Sequence, residues 1–320
     1  VTTDLQRIVD QLESVHPFIL CSFPDSEQIE CFEWKNGEFV GKNGRRFIVQ
    51  GWDSSEHAER DHIASRGEHM DIVQKAIDSI RAGQFEKVVL SRIREEKLAK
   101  GGDAQTAALF VRLISLYPKT LRYLMRHPIE GLWMGATPET LLRREGEQYS
   151  TMALAGTRPN RNEGESFNWQ EKEMHEHEVV VMDIVQRLKP FGEAEVSPVS
   201  TLIAGPVAHL LTRIDFISEA AVMEVAKALH PTPAVCGWPL FESFQFIEKE
   251  EPHSRGLYTG FLGVLQPDGN AHLFVNLRCM RIEADRYLLY VGGGITGASA
   301  PEAEWEETEN KAMTLLRAID

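Results

Sequence analysis

The chain has 320 residues, 42% of them hydrophobic and 26% charged, with a net charge of −14. That length suits one large domain or two small ones, and the acidic balance excludes nucleic acid as a partner, because phosphate backbones need a basic surface. No apolar run is long enough to cross a bilayer, and Val1-Thr-Thr-Asp4 lacks the character of a signal peptide, so no membrane partner is expected. The absence of an initiator Met leads us to expect residues before Val1. With no linker-like stretch, charge block or repeat, we expect a single domain over 1–320. Cys21, Cys31, Cys236 and Cys279 are widely spread and form no CxxC pair, so they read as reduced thiols of a cytoplasmic protein. An anionic substrate would need a local cation here, either a metal or Arg and Lys.

In chain order, Asp4–Glu13 reads as a short amphipathic helix. Segments 18–23, 28–34 and 45–52 read as strands separated by the turn signals PDSE and KNGEF. The second half of Glu56–Ala82 has apolar residues at helical spacing and stops at Gly83. Phe85–Arg92 follows as a strand. Lys87 stands at its mouth, where burial would favour the neutral amine of a general base and partial exposure would leave an ordinary solvated lysine. Ala104–Leu116 is a helix, and TLRYLMRHP and GLWMGATP are paired strands. Pro138 then bends the chain before Glu139, which could stay protonated as a general acid in apolar surroundings or simply cap a loop amide. A hairpin around Gly146 ends in Ala155-Gly156-Thr157, where a glycine allows close backbone approach. Arg158–Phe167 reads as a mobile polar loop.

Trp169–Leu188 is a helix with Glu173 and Glu176 at i, i+3, on one face. His175 and His177 are two apart and diverge, whereas a zinc helix needs i, i+4, so oxygen ligands are expected instead. Pro198–Leu211 reads as an apolar loop carrying His209. Glu219–Leu229 is a helix, His230–Pro239 a rigid irregular turn containing Ala234, and Phe241–Glu251 another helix. An antiparallel meander follows through GLYTGFLGVL, HLFVNLRCMRI and YLLYVGGG. Arg278 lies amid one of its apolar strands and should meet a buried carboxylate, the protein's or a ligand's. The last strand ends in Gly292–Gly294. Ser299 and Pro301 then start a helix on which Glu304, Glu307 and Lys311 share one face and Trp305, Ala312 and Leu315 or Leu316 another. Two helices with paired acids suit a hard cation such as Mg²⁺; a solvated acidic face is the alternative.

Taken together, KVVLSR, GATPETLL, LAGTR, EKEMHEHE, LHPTPAVCG, LYTGFLG, VNLRCM and GGGITGASAPEAEWEETENK resemble the chorismate-utilising enzymes, isochorismate synthases most closely. These stretches run in family order from about Lys87, and the match is weakest over 1–85. The resemblance implies an α+β fold, a single large domain with two antiparallel β-sheets packed between helical layers. It implies Mg²⁺ held by Glu176 and Glu307, with Glu173 and Glu304 acting through waters. Arg278 and Tyr258 would take the enolpyruvyl carboxylate of chorismate, and Gly156 and Gly292 would offer backbone contacts. Lys87 would activate water for attack at C2, and Glu139 would protonate the departing C4 hydroxyl. His209 and Lys311 match further active-site positions. Anthranilate synthases typically carry Gln at the Lys87 position, and aminodeoxychorismate synthases a nucleophilic lysine at the Ala155 position. Salicylate synthases tend to carry Thr at the Ala234 position and form the alternative. A non-catalytic binding protein on this scaffold would be expected to lose the acid or the base, and both are present. Water as nucleophile implies no obligate glutamine amidotransferase subunit, and a monomer is expected. Siderophore and menaquinone pathways are equally open for the product.

Overall fold

The computed structural model describes residues 2–14, 16–52, 62–97, 102–159, 167–204 and 207–319. Helix α1 (Thr2–Glu13) leads into β1 (Phe18–Ser22), β2 (Glu30–Lys35), β3 (Glu38–Val40) and β4 (Arg46–Gln50). Helix α2 (Arg66–Arg81), β5 (Lys87–Lys97) and α3 (Gly102–Leu116) follow. Next come β6 (Leu121–His127), β7 (Gly131–Thr137), β8 (Thr140–Glu145), β9 (Gln148–Pro159) and α4 (Glu171–Leu188). The third quarter holds β10 (Glu195–Val196), β11 (Ser200–Ala204), β12 (Val207–Ile217), α5 (Val222–Leu229), β13 (Gly237–Trp238) and α6 (Leu240–Glu250). The chain closes with β14 (Phe261–Leu265), β15 (Ala271–Val275), β16 (Cys279–Ile282), β17 (Arg286–Thr296) and α7 (Pro301–Ile319).

The fold is α+β, and every strand pairing among the described residues is antiparallel. One wing runs β13-β5-β17-β16-β7-β6-β1-β2. The other runs β4-β14-β15-β8-β9-β12, with β10 and β11 on the far edge of β12. The two expected sheets are thus wings of one hydrogen-bonded network, because β3 pairs with both β2 and β4.

Period-two alternation explains the layering. Along β17, Leu288 and Tyr290 face a core between the wings, with Trp133, Tyr123, Phe47 and Leu262. Tyr287, Leu289 and Val291 face outward under α1, α3 and α7. On the other wing α4 and α5 cover Leu142, Ala153, Ile214 and Leu273. Helices α2 and α6 seal the end of β5 around Val88, Leu90 and Ile295. Helix α2 starts at a reciprocal cap: Ser65 Oγ accepts from Glu68 N at 3.3 Å, and the Glu68 carboxylate accepts from Ser65 N at 2.8 Å.

Several expectations need correction. Pro198–Leu211 is not a loop but the edge hairpin of β11 and β12, so His209 stands on a strand. Thr201 and Ile203 of β11 are exposed, which removes the buried-face alternation that marks a strand. The glycine run does not end β17; Gly292, Gly293 and Gly294 pair with Ser91, Leu90 and Val89 of β5 and the strand continues to Thr296. Arg278 is not inside a strand either. It occupies a break between β15 and β16 with φ +50, in the left-handed region. The expected helical segment begins at Arg66, and the part over 53–61 lies outside the described residues, as do residues 160–166 of the expected mobile loop.

Trp133 is fully buried and stacks on Tyr290 at 5.0 Å, which stacks on Tyr258 at 5.6 Å. Trp133→Ala should destabilise the fold by about 3–5 kcal/mol. The exposed Ile129 changed to Ala should shift it by less than about 0.5 kcal/mol. Urea unfolding of both variants checks this, and a loss near zero for Trp133→Ala would contradict the inter-wing core.

Candidate active site

The site forms where β17 loses its side chains. A Cβ on Gly294 would lie 2.4 Å from Glu176 Oε1 and 3.1 Å from Lys87 Cε. One on Gly293 would lie 3.4 Å from Glu307 Oε1 and 3.5 Å from Glu304 Oε2. The glycines therefore make room for carboxylates arriving from α4 and α7. Gly292 serves differently: a Cβ there would meet Leu90 O and Tyr258 Oη, each at 2.8 Å.

Each of these acids meets a lysine. Lys87 Nζ is 3.0 Å from Glu176 Oε1, Lys172 Nζ 2.9 Å from Glu304 Oε1, and Lys311 Nζ 2.7 Å from Glu307 Oε1. Lys311 also donates to Gly292 O at 2.8 Å. Burial works to raise the Glu176 carboxyl, but Lys87, Lys311 and Lys172 outweigh it and hold the group below the usual carboxylate range. Glu304 goes the other way: burial and then the neighbouring Glu307 push it up against Lys172. Burial works against the charge on Lys172, and Glu304 more than offsets it. Glu173, expected beside Glu176, is engaged elsewhere. Its carboxylate accepts from Gln170 N at 2.9 Å, capping its own helix, and lies 3.6 Å from Arg158 Nε.

A single cavity is lined by Glu139, Gly156, Glu176, His209, Ala234, Tyr258, Arg278, Gly292 and Lys311. Lys87, 2% exposed, lies behind this wall against Glu176 and Gly294. Glu139 is buried where β7 turns into β8, and that desolvation pushes its carboxyl up to about 8, although Lys87, Lys311 and Arg278 pull the other way. It is therefore neutral at pH 7.

Of the two carboxylates expected for Arg278, the protein's or a ligand's, the first is not among its hydrogen-bond partners in the described residues. Its Nη1 donates to Thr314 Oγ1 at 2.9 Å, and its Nη2 lies 3.2 Å from His209 Nε2. A guanidinium has no acceptor, so His209 must accept at Nε2 and carry its proton on Nδ1, 3.1 Å from Thr157 Oγ1. Burial, Arg278 and Lys311 hold His209 well below its ordinary value, so it is neutral. The positive charge of Arg278 thus faces the cavity with neutral hydrogen-bond partners among the described residues. Tyr258 is buried on the same wall, and burial pushes its phenol up. Gly156, with φ +74, is the bulge residue between Ala155, opposite Leu210, and Thr157, opposite His209. Sequence reasoning missed Lys172, Thr157 and Thr314. None sits in a pattern that separates it from ordinary helix or strand residues.

Among the described residues, no three His, Cys, Asp or Glu side chains close around one point. The donors still suit Mg²⁺. They are all oxygen and they converge on a glycine cradle, where Glu304 is 2% exposed.

A family model described as chorismate binding enzyme matches residues 48–320. The chain belongs to that family. The match to the chorismate-binding enzymes reaches back to β4, earlier than the motif resemblance from Lys87. The chain is 32% identical over 272 residues to the isochorismate synthase EntC of Escherichia coli (strain K12), covering 82% of this chain and 69% of that protein. It is also 32% identical over 271 residues to anthranilate synthase component 1 of Thermus thermophilus, covering 80% of this chain and 57% of that protein. The solved structure of MenF, the menaquinone-specific isochorismate synthase of Escherichia coli, superposes with a TM-score of 0.81 at 21% identity. It covers 100% of this chain and 99% of its own, a likeness of fold.

The raised Glu139 has a consequence for stability. Between about 4.5, where an exposed carboxyl ionises, and about 8, the folded state holds a proton that the unfolded state has lost. Its contribution is complete below that window and disappears as pH rises through about 8. Glu139→Gln should abolish this dependence, so the stability difference between variant and parent should grow by up to about 1.4 kcal/mol per pH unit across the window. Urea unfolding from pH 5 to 8 measures it, and a flat difference would contradict a protonated Glu139.

Proposed function

We propose that the chain is an isochorismate synthase, converting chorismate to isochorismate by water attack at C2 and loss of the C4 hydroxyl. The observation that carries this reading is Glu139, a buried carboxyl neutral at pH 7 in the same cavity as the cations Arg278 and Lys311. A hydroxyl leaves only when protonated, and a carboxyl held neutral by desolvation is a suitable donor. Lys87 would take the proton of the attacking water as a neutral amine, having first given up the proton it carries in its ion pair with Glu176, and Glu139 gives one to the departing oxygen. One water enters and one leaves, so the reaction is a net isomerisation and is reversible.

Arg278 and Tyr258 hold the enolpyruvyl carboxylate, for which the planar guanidinium is suited. His209 and Thr314 keep the guanidinium aimed without neutralising it. Gly156 and Gly292 let the ring approach backbone, Ala234 keeps that wall small, and Lys311 adds positive charge beside Gly292. Glu176 and Glu307 would hold Mg²⁺, with Glu304 acting through water; Glu173, expected to share that role, caps its own helix instead. When bound, the ion supplies positive charge to the ring carboxylate. Water as nucleophile requires no ammonia-supplying subunit, so the chain is proposed to act alone, as a monomer. Its cysteines are free among the described residues, and no helix there is long and apolar enough to cross a membrane; a cytoplasmic location fits both.

Incubation of chorismate with the protein and Mg²⁺, followed by proton NMR, should give isochorismate approaching equilibrium from either side. Excess chelator should stop the reaction. Salicylate and pyruvate as main early products would favour the salicylate synthase alternative, and an ammonium-dependent aminated product would contradict water as the nucleophile.

The proton-transfer roles predict that Lys87→Ala and Glu139→Gln each lower kcat by at least about 10²-fold. Arg278→Ala should mainly raise KM. In the unsubstituted enzyme kcat should fall as pH rises through about 8, as Glu139 loses its proton. Steady-state kinetics from pH 6 to 9 would show this, and an unchanged kcat in Lys87→Ala would remove that residue from the mechanism.

A further inference from the structure

Behind the cavity wall lies a buried charged group that touches none of the space a substrate could fill. Arg255 is 2% exposed and Glu251 3%. All five donors of the Arg255 guanidinium are used. Nε donates to Glu251 Oε2 at 2.8 Å, and Nη2 to Glu251 Oε1 and Val89 O, each at 2.7 Å. Nη1 donates to Val235 O at 2.9 Å and Thr259 Oγ1 at 3.3 Å. Glu251 Oε1 in turn accepts from Ser91 N at 2.6 Å and Ser91 Oγ at 3.0 Å. The indole of Trp52 covers the guanidinium at 4.3 Å.

The three main-chain segments joined this way come from β5, from the turn before β13 and from the turn before β14. Val89, Val235 and Thr259 each line the cavity, next to Ala234 and Tyr258, whereas Arg255 and Glu251 do not. A buried ion pair is a poor source of net stability, since desolvation offsets its attraction. What its three bonds to Val89 O, Val235 O and Thr259 Oγ1 do supply, with the guanidinium held by two more to Glu251, is a fixed distance between three walls.

We propose that Arg255, oriented by Glu251, is a positioning residue that sets the spacing of the Val89, Val235 and Tyr258–Thr259 walls and so the fit of the bound substrate. A lysine at this position could keep the charge pairing with Glu251 but has three donors on one atom, and could not span the same acceptors. The kinetic part of the proposal rests on the chorismate reading above; the geometric part does not.

Arg255→Lys should raise KM for chorismate by at least about tenfold while kcat stays within about threefold, because Lys87 and Glu139 are untouched. Glu251→Gln should act in the same direction more weakly. By hydrogen exchange, the amides of Val235, Cys236 and Tyr258 should exchange faster in Arg255→Lys, with those of β6 unchanged. A purely structural role would lower the folded fraction and speed exchange throughout, leaving KM of the folded enzyme as it was. Unchanged KM together with unchanged exchange at these amides would overturn the proposal, as would failure of both variants to fold. If the unsubstituted protein did not turn over chorismate, the kinetic arm would fall with the functional reading. The exchange arm would still decide the positioning role.

Discussion

The structure depends on one electrostatic constraint, the removal of several carboxylates from water beside the glycine run of β17. A buried charge is costly unless it is partnered, and here each acid that faces the run has its own lysine. That need fixes the placement of two helices. Helix α7 is locked in rotation by Arg92, which donates to Thr308 Oγ1 at 2.8 Å, pairs with Glu309 and lies 3.7 Å over the Trp305 ring. With one face so anchored, Glu304, Glu307 and Lys311 must point at the strand. Helix α4 is held by its apolar side on β9 and β12, which carries Glu176 to Gly294.

The same constraint separates the chemistry of similar groups. Glu139 and Glu176 are both carboxyls on one cavity, yet one is neutral and the other ionised at pH 7. Burial acts on both; the difference is the lysine in contact with Glu176. Arg278 illustrates the complementary case, a charge held by neutral groups and therefore left to interact with whatever enters. A dianion with two carboxylates would meet Arg278 at one end and the acidic helices, with a divalent cation between, at the other.

Much of this was legible in the sequence because it follows from short-range periodicity. The i, i+3, i+7 spacing of Glu304, Glu307 and Lys311 placed them on one face. At Glu139 the sequence left a raised carboxyl and a loop cap equally open, and its burial between β7 and β8 favours the first. Other features depend on what lies across space, which spacing cannot report. Glu173 has the same spacing to Glu176 as Glu304 to Glu307, but it stands in the first turn of α4, where the free amide of Gln170 claims it. The partners of Arg278 come from β12 and α7, far away in the chain. The β11–β12 hairpin was missed because its edge strand turns apolar side chains to solvent, so its pattern resembled a loop.

The central claim, that a base at Lys87 drives water onto the ring, is tested most directly by the origin of the product oxygen. Turnover of chorismate in ¹⁸O-labelled water, followed by mass spectrometry of early product, should yield isochorismate carrying one solvent-derived oxygen at C2. Unlabelled isochorismate formed at the normal rate would mean that the hydroxyl migrates within the substrate, and would contradict the account.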